Sequence, residues 1–479
     1  MKKKAKQNVI IIGAGTAGRM VCDEILKHPE INYSIAGFLD DDESKKNVKY
    51  KSIKILGKIC DINKIIKKFK IEIALIAIPS AEGDLIRKII GRCGESKVDF
   101  RIVPGIFEII SGDVKFNQIR EIIPEDLLGR ESVRLDSTRL NRLFKTKTVL
   151  VTGGAGSIGS ELCVQLAELN PLNLIVLDQN ESESYYLEQK LKTANCRKTY
   201  IISDVSNYSR LYAVFKKYKP DIVIHAAAYK HVPLMEHNIS EAFRVNVAGS
   251  ENVFKLANCF KSEYCILISS DKAVNPTSVM GATKRIAEKL LLLYSSKAGN
   301  KTKFSAVRFG NVLASRGSVV PLFINQIKNG GPITITHPDI YRYFMTISEA
   351  VSLILNSLKI SKGKEIFALD MGEQINITEL AKNLVILAGL KPDKDIKIVY
   401  TGLRPGEKLY EELLTSSDKV SATKLKKIFI ARPELINPRL LKSKMTEIKK
   451  LIFSNADVNK KLKKIIIELL PEYLHDYKV

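Results

Sequence analysis

Residues 148–160, TVLVTGGAGSIGS, read as a buried strand from Thr148 to Val151, a glycine-rich turn from Thr152 to Gly159 and a helix opening at Ser160. A short run so free of charge belongs inside a parallel sheet covered on both faces. Gly153, Gly156 and Gly159 let the backbone approach a pyrophosphate and aim the positive end of the helix at it. The next apolar run, Leu174 to Leu177, ends in Asp178. A carboxylate at that place accepts a hydrogen bond from a ribose 2′-hydroxyl and repels a 2′-phosphate, while Gln179 and Asn180 offer no arginine to hold one. The stretch therefore specifies a dinucleotide fold that takes NAD rather than NADP.

The same pattern occurs once before it. Val9 to Ile12 reads as a strand, Gly13-Ala14-Gly15-Thr16-Ala17-Gly18 opens a helix, and Ile35 to Leu39 ends in Asp40-Asp41-Asp42, with further strands at Ile73 to Ile78 and Val98 to Val103. The fold class is thus α/β, with two tandem Rossmann-like, doubly wound parallel sheets. Glycines at such a turn also serve tight helix–strand packing, so the pattern leaves nucleotide binding in the first unit open. Residues 105–147 mix charges with isolated apolar residues and read as a connector. The expected layout is a basic tail at 1–7, an accessory Rossmann-like domain at 8–104, the connector, an NAD-binding domain at 148–422 with a substrate subdomain mainly at 310–422, and a basic helical segment at 423–479.

Beyond the glycine turn, residues 267–285, LISSDKAVNPTSVMGATKR, hold the densest chemistry. Cys265 to Ser269 suits a buried strand and Asn275-Pro276-Thr277 suits the start of a helix, which puts Ser270, Asp271 and Lys272 just past a strand's carboxyl end. Met280 and Lys284, four residues apart, share one helix face and are expected to point back at Ser270. The bland alternative is a surface strand–loop–helix with ordinary charges.

These motifs resemble the short-chain dehydrogenase/reductase superfamily. TGxxGxxG has its spacing, and Ser270, Met280 and Lys284 stand where it has Ser/Thr, Tyr and Lys, with the tyrosine replaced. SSDK followed by AVNPTxxMGATKR, together with TGGAGSIGSE, PEDLLGR and RPGEKLYEE, resembles the membrane-associated nucleotide-sugar 4,6-dehydratases, over most of the chain from Asn8 to about Ala422. The resemblance implies an extended short-chain dehydrogenase fold and NAD bound by Thr152, Gly153, Gly156, Ser157, Ile158, Gly159, Asp178, Asp204, Val205, Ala226, Ala227 and Lys284. It implies Ser270, Asp271, Lys272, Met280 and Lys284 as the catalytic set, and Lys230, Asn311, Arg342, Arg404 and Glu407 as substrate contacts, with the two arginines on the diphosphate and its nucleoside. Asn246 corresponds to a structural asparagine. His225 reads as packing and His231 as a loop contact.

The implied reaction converts UDP-N-acetylglucosamine, or a related UDP-sugar, to the 4-keto-6-deoxy sugar, with Asp271 protonated as acid and Lys272 neutral as base. An epimerase or reductase on the same fold, or a non-catalytic NAD-binding sensor suggested by the missing tyrosine, are the alternatives. Product mass separates the first, and turnover the second.

Composition bounds the rest. Lys+Arg 76 against Asp+Glu 52 gives +24 over 479 residues, an excess suited to nucleic acid, an anionic membrane face or an anionic substrate. No RNA-binding signature or finger spacing occurs, so nucleic acid is the weakest of the three and is not expected as a partner. The lysine-rich amphipathic runs after Pro438 suggest packing on the body or peripheral membrane contact. Seven scattered cysteines with no CxxC argue against disulfides and a metal site and for a reducing compartment. No stretch reaches the roughly 18 apolar residues of a membrane span, so the expectation is a cytoplasmic homo-oligomer, in part at the inner face of the cell membrane.

Overall fold

Alternation within the glycine-turn strand sets the architecture. Leu150 faces one core layer, with Leu177, Phe243, Cys265 and Leu267, while Val149 and Val151 face the other, with Val176, Ile266 and Ile268. Successive side chains of a strand point to opposite faces, so a strand apolar on both must be covered twice. The computed structural model describes residues 6–46, 48–78, 83–93, 98–103, 119–128, 137–313, 315–414, 420–431, 437–454 and 458–473. The expected basic tail lies mostly outside them, as do the last residues of PEDLLGR. Two compact units emerge, one of Met1–Glu131, Gly317–Asp339 and Ile375–Thr401, the other of Ser132–Arg316, Ile340–Gln374 and Gly402–Val479.

The sheet of the second unit runs in the order Lys198–Ile202, Asn173–Asp178, Thr148–Thr152, Ile222–His225, Tyr264–Ile268, Lys303–Arg308, Glu365–Leu369, Ile428–Ala431, Val420–Ala422. The first seven strands pair in parallel and the last two antiparallel. Strand order reverses between Thr148–Thr152 and Ile222–His225, and open α/β sheets bind their ligands beyond the carboxyl ends at such a reversal. Of the antiparallel closing pair, Ile428–Ala431 lies within the segment read as helical, where no strand was expected. The helices that follow, Pro438–Leu451 and Asn459–Leu469, bury Leu441, Met445, Ile448, Leu462, Ile465 and Ile466 against the layer that holds Leu150.

Part of the connector also proves to be core. Ser137–Phe144 is a helix whose Leu140 and Phe144, four residues apart, are fully buried in the layer that holds Val149. Three apolar residues, Leu140, Leu143 and Phe144, in one short helix are too few to show a sustained period.

In the first unit the order is Lys49–Tyr50, Ile53–Gly57, Tyr33–Leu39, Gln7–Ile12, Ile73–Ile76, Asp99–Ile102, Arg120–Glu121, parallel except at its two ends. The unit also contains helices Val319–Lys328 and Ile377–Leu387 and the parallel pair Ile333–Ile335 and Ile398–Tyr400. No helix among the described residues is long and apolar enough to cross a membrane.

Candidate active site

At the reversal point a cleft of about 240 Å³ is lined by Gly153, Ala155, Gly156, Asp178, Asp204, Val205, Ala226, Ala227 and Arg316, among others. Gly153 has φ +66°, and a Cβ there would lie 2.5 Å from the Ala227 nitrogen. Only glycine permits that approach between turn and strand end. A Cβ on Gly156 would meet nothing closer than the Gly153 carbonyl, 3.2 Å away, and would stand where a phosphate must reach the backbone. The amino end of helix Ser157–Glu168 opens beside it. The open glycine turn, the helix amino end and the strand-end acid suit a dinucleotide, which Gly153, Gly156, Asp178, Asp204 and Val205 would hold.

Several expected cofactor residues stand elsewhere. Thr152 is fully buried, its Oγ1 2.7 Å from His225 Nδ1. The other His225 nitrogen, Nε2, lies 2.9 Å from Ser250 Oγ, and burial pushes the imidazole down to about 3, as suits a packing histidine. Ser157, Ile158 and Gly159 support the turn without lining the cleft. Asp204 is bound by Arg244 Nη1 at 2.5 Å; burial opposes its charge, but the Ser206 amide and Arg244 hold the carboxyl below its usual range.

The second motif departs from the expected outline at its centre. Asp271–Ala273 forms a 3₁₀ turn, Asn275 takes a left-handed φ of 39°, and the helix begins at Val279, where Ser278 Oγ caps the Gly281 amide. Asn275-Pro276-Thr277 is therefore still loop. A Cβ on Gly281 would lie 2.2 Å from the Lys272 carbonyl oxygen, so only glycine lets the helix pack this closely against the turn. Lys284 does not reach Ser270. Its Nζ donates to the Ile268 carbonyl at 2.9 Å, and burial, set against Glu288, lowers the amine to about 8. Met280 is buried in the core.

Asp271 is 1% exposed. Its Oδ1 accepts from Ser270 Oγ at 2.7 Å, the Lys272 amide at 2.8 Å and Lys272 Nζ at 3.1 Å, whereas Oδ2 has no partner among the described residues. Lys272 Nζ also donates to Asn311 Oδ1 at 3.2 Å and lies 3.1 Å from Glu411 Oε1. Burial disfavours the Lys272 charge, yet Asp271 and Glu411 outweigh it and raise the amine above its usual range. Beside Asp271, a second carboxylate unforeseen in the sequence thus favours the charged amine. Burial raises Asp271 too, with Lys272 opposing and Glu411 adding to it.

Lys272 and Glu411 line a second cavity, of about 110 Å³, with Val232, Ser278, Arg342, Arg404 and Glu407. The RPGEK loop docks on the catalytic loop there: Thr277 Oγ1 donates to the Gly406 carbonyl at 2.9 Å and Asn275 Nδ2 to Glu412 Oε2 at 2.9 Å. Arg342 is 7% exposed and bonds the Tyr341 and Leu409 carbonyls and Glu407 Oε1, at 2.7, 3.0 and 3.3 Å. Arg404 is exposed. Lys230 Nζ donates to the Arg316 carbonyl at 2.8 Å, and Lys230 is not among the lining residues of this cavity.

Residues 149–433 match the profile of the polysaccharide biosynthesis protein family, and residues 2–104 that of a CoA-binding domain. The chain belongs to the polysaccharide biosynthesis protein family. Among its relatives, the capsular polysaccharide biosynthesis protein CapD of Staphylococcus aureus is 44% identical over 86% of this chain and 69% of its own. The UDP-N-acetylglucosamine 4,6-dehydratase (inverting) of Campylobacter jejuni subsp. jejuni strain 81-176 is 37% identical over 58% of this chain and 80% of its own. A UDP-glucose 4-epimerase of Rickettsia canadensis is 37% identical over 59% and 82%. The X-ray structure of Pen from Bacillus thuringiensis, 35% identical, covers 64% of this chain and 99% of its own with a TM-score of 0.56. The extended short-chain dehydrogenase fold and the N-terminal Rossmann-like unit expected from the motifs are those of this family.

Two residues of this family member's site escaped the sequence reading. Arg316, which ion-pairs with Glu183 and donates to the Ala155 carbonyl at 2.6 Å, closes one wall of the dinucleotide cleft. Glu411 was visible only as one of several acids after RPGEK, and nothing in their spacing marks which one turns inward.

Proposed function

We propose that this protein is an NAD-dependent 4,6-dehydratase of a UDP-N-acetylhexosamine, most simply UDP-N-acetylglucosamine, serving glycan biosynthesis. The buried carboxyl of Asp271 carries the reading. A departing hydroxyl takes its proton from an acid, and burial, with Glu411 beside it, raises the Asp271 carboxyl and so favours its protonated form. The unpartnered Oδ2 supports a neutral carboxyl whose proton is free to be given. NAD in the glycine-turn cleft would supply a hydride acceptor for sugar carbon 4 and a hydride donor for carbon 6.

The protein's own groups do the rest. Asp271 protonates the departing carbon-6 hydroxyl. Lys272 takes the carbon-5 proton, which the carbon-4 ketone has made acidic, after passing its own proton to a neighbouring carboxylate. Ser270 and Asn311 fix the carboxyl and the amine, and Arg404, with Arg342, would take the diphosphate.

The epimerase relative keeps a second reading open, since inversion at carbon 4 uses the same fold. It has no use for an acid beside a departing hydroxyl. Incubation with NAD and UDP-N-acetylglucosamine followed by mass measurement decides: loss of one water supports the dehydratase, and an unchanged mass with a new sugar stereochemistry replaces it.

A further inference from the structure

A protonated Lys272 cannot take a proton from carbon 5. Its own proton must first go somewhere, and two carboxylates are within reach, Asp271 Oδ1 and Glu411 Oε1, each at 3.1 Å. In the dehydratase reading Asp271 carries the proton that goes to the leaving hydroxyl, so it is not the acceptor. Glu411 is the free acceptor: it is 4% exposed, it lines the same cavity as Lys272, and its Oε2 has no partner among the described residues. A buried carboxylate oxygen left without a donor is costly, and ordinary packing gives no reason to keep one.

The groups around Glu411 agree. Arg342, on the strand Tyr341–Met345, has its Nε 3.8 Å from Glu411 Oε1. Lys408, three residues earlier, is buried but turns its amine to the Val274 carbonyl at 3.0 Å. Burial works against a charge on Glu411, but Lys272, Arg342 and Lys408 together keep it below its usual range and so anionic.

We propose that Glu411 is the terminal proton acceptor of the elimination, acting through Lys272. The inference rests on the dehydratase reading. One Nζ–H bond of Lys272 breaks and an O–H bond forms on Glu411. The freed lone pair takes the carbon-5 proton, and the C–H electron pair becomes the carbon-4 enolate. As the C5=C6 bond forms, the carbon-6 C–O bond breaks and the Asp271 proton leaves with the oxygen as water. The site then holds Asp271 as carboxylate, Lys272 as ammonium and Glu411 as acid. Lys272 returns a proton to carbon 5 when carbon 6 is reduced and recovers one from Glu411. The carbon-4 hydroxyl, oxidised while Asp271 is still protonated, gives its proton to water, and Asp271, left as carboxylate by the elimination, takes one back from water before the next turnover.

Glu411→Gln keeps the size of the side chain and a carbonyl oxygen for Lys272 but accepts no proton. Its kcat for water loss should fall about 100-fold, within the usual range for removing a proton-transfer partner, with KM within about twofold of wild type. Exchange of the carbon-5 hydrogen with heavy water should fall in step, while the undehydrated 4-keto sugar still forms. Glu411→Asp, which retains an acceptor, should turn over at least about tenfold faster than Glu411→Gln. Thermal unfolding and NAD titration check that both variants are intact. The role is refuted if Glu411→Gln dehydrates at the wild-type rate, if it loses carbon-4 oxidation as deeply as water loss, or if the Asp and Gln variants are equally slow. A wild-type protein that releases no water refutes the dehydratase reading itself, whereas a dehydrating wild type beside an unimpaired Glu411→Gln refutes this role alone.

Discussion

Asp178 Oδ2 accepts a hydrogen bond from the Ala155 amide at 2.9 Å, and Asp40 Oδ2 accepts one from the Ala14 amide at 2.7 Å. Each unit thus ties the acid at the end of its second strand back to its own glycine turn. The two acids differ in what else they hold, for Lys45 Nζ lies 3.0 Å from Asp40 Oδ2, while the other Asp178 oxygen accepts from the Asn180 amide, at 2.9 Å, and Asp178 lines the cleft.

From that difference, Asp178→Ala should weaken NAD binding by about tenfold or more and narrow its preference over NADP, because it removes both a charged acceptor for the ribose and a repeller of phosphate. Titration of each dinucleotide measures this. An unchanged NAD affinity would remove Asp178 from the cofactor site.

Met280 stands where the superfamily places a tyrosine, yet it is buried among core side chains and its sulfur cannot exchange a proton. Met280→Leu should therefore cost less than about 1.5 kcal/mol in stability and keep most of the turnover. A loss of kcat as deep as that of Lys272→Met would show that the thioether has a chemical role.

Lys284 gives a pH signature with a definite sign. Its amine lies at about 8 in the folded protein against an ordinary value of 10.5. Between those values the unfolded chain binds more protons than the folded one, so stability rises with pH across this window, and below about pH 8 the cost of burying the charge stays constant. Lys284→Met should lack the rise. Urea midpoints of both proteins, measured across the window, test it, and parallel profiles would mean that Lys284 does not titrate there.

How much of this the sequence disclosed follows from range. The two doubly wound sheets were legible because glycine turns and charge-free strands are local patterns, and Asp178 because its place after the second strand is fixed by them. Helix Ser137–Phe144 and strand Ile428–Ala431 were not, since each earns its place only through contacts with distant segments. The site divides the same way. Ser270, Asp271 and Lys272 are neighbours in sequence and in space, whereas Glu411 reaches Lys272 only after the RPGEK loop has docked on residues 275–278. Asp271, the neighbour in sequence, and Glu411, 139 positions away in the chain, together favour the charge on Lys272, and only the first was legible locally.

The sharpest test of the chemistry uses Asp271 and Lys272 with isotopes. Substrate carrying deuterium at carbon 4 should give product with the label at carbon 6, and unlabelled substrate in heavy water should gain deuterium at carbon 5. Asp271→Asn removes the proton given to the leaving hydroxyl but leaves an oxygen to accept from Ser270 and the Lys272 amide. Lys272→Met removes the base but keeps the length of the chain. Each should lower water loss about 100-fold or more while NAD affinity and unfolding temperature stay near wild type, because each deletes a proton-transfer partner. The two should also differ from one another: Asp271→Asn still exchanges carbon 5 with solvent before the hydroxyl leaves, and Lys272→Met does not. If Asp271→Asn dehydrates at the wild-type rate, Asp271 is not the acid; if Lys272→Met exchanges carbon 5 normally, the base is another group.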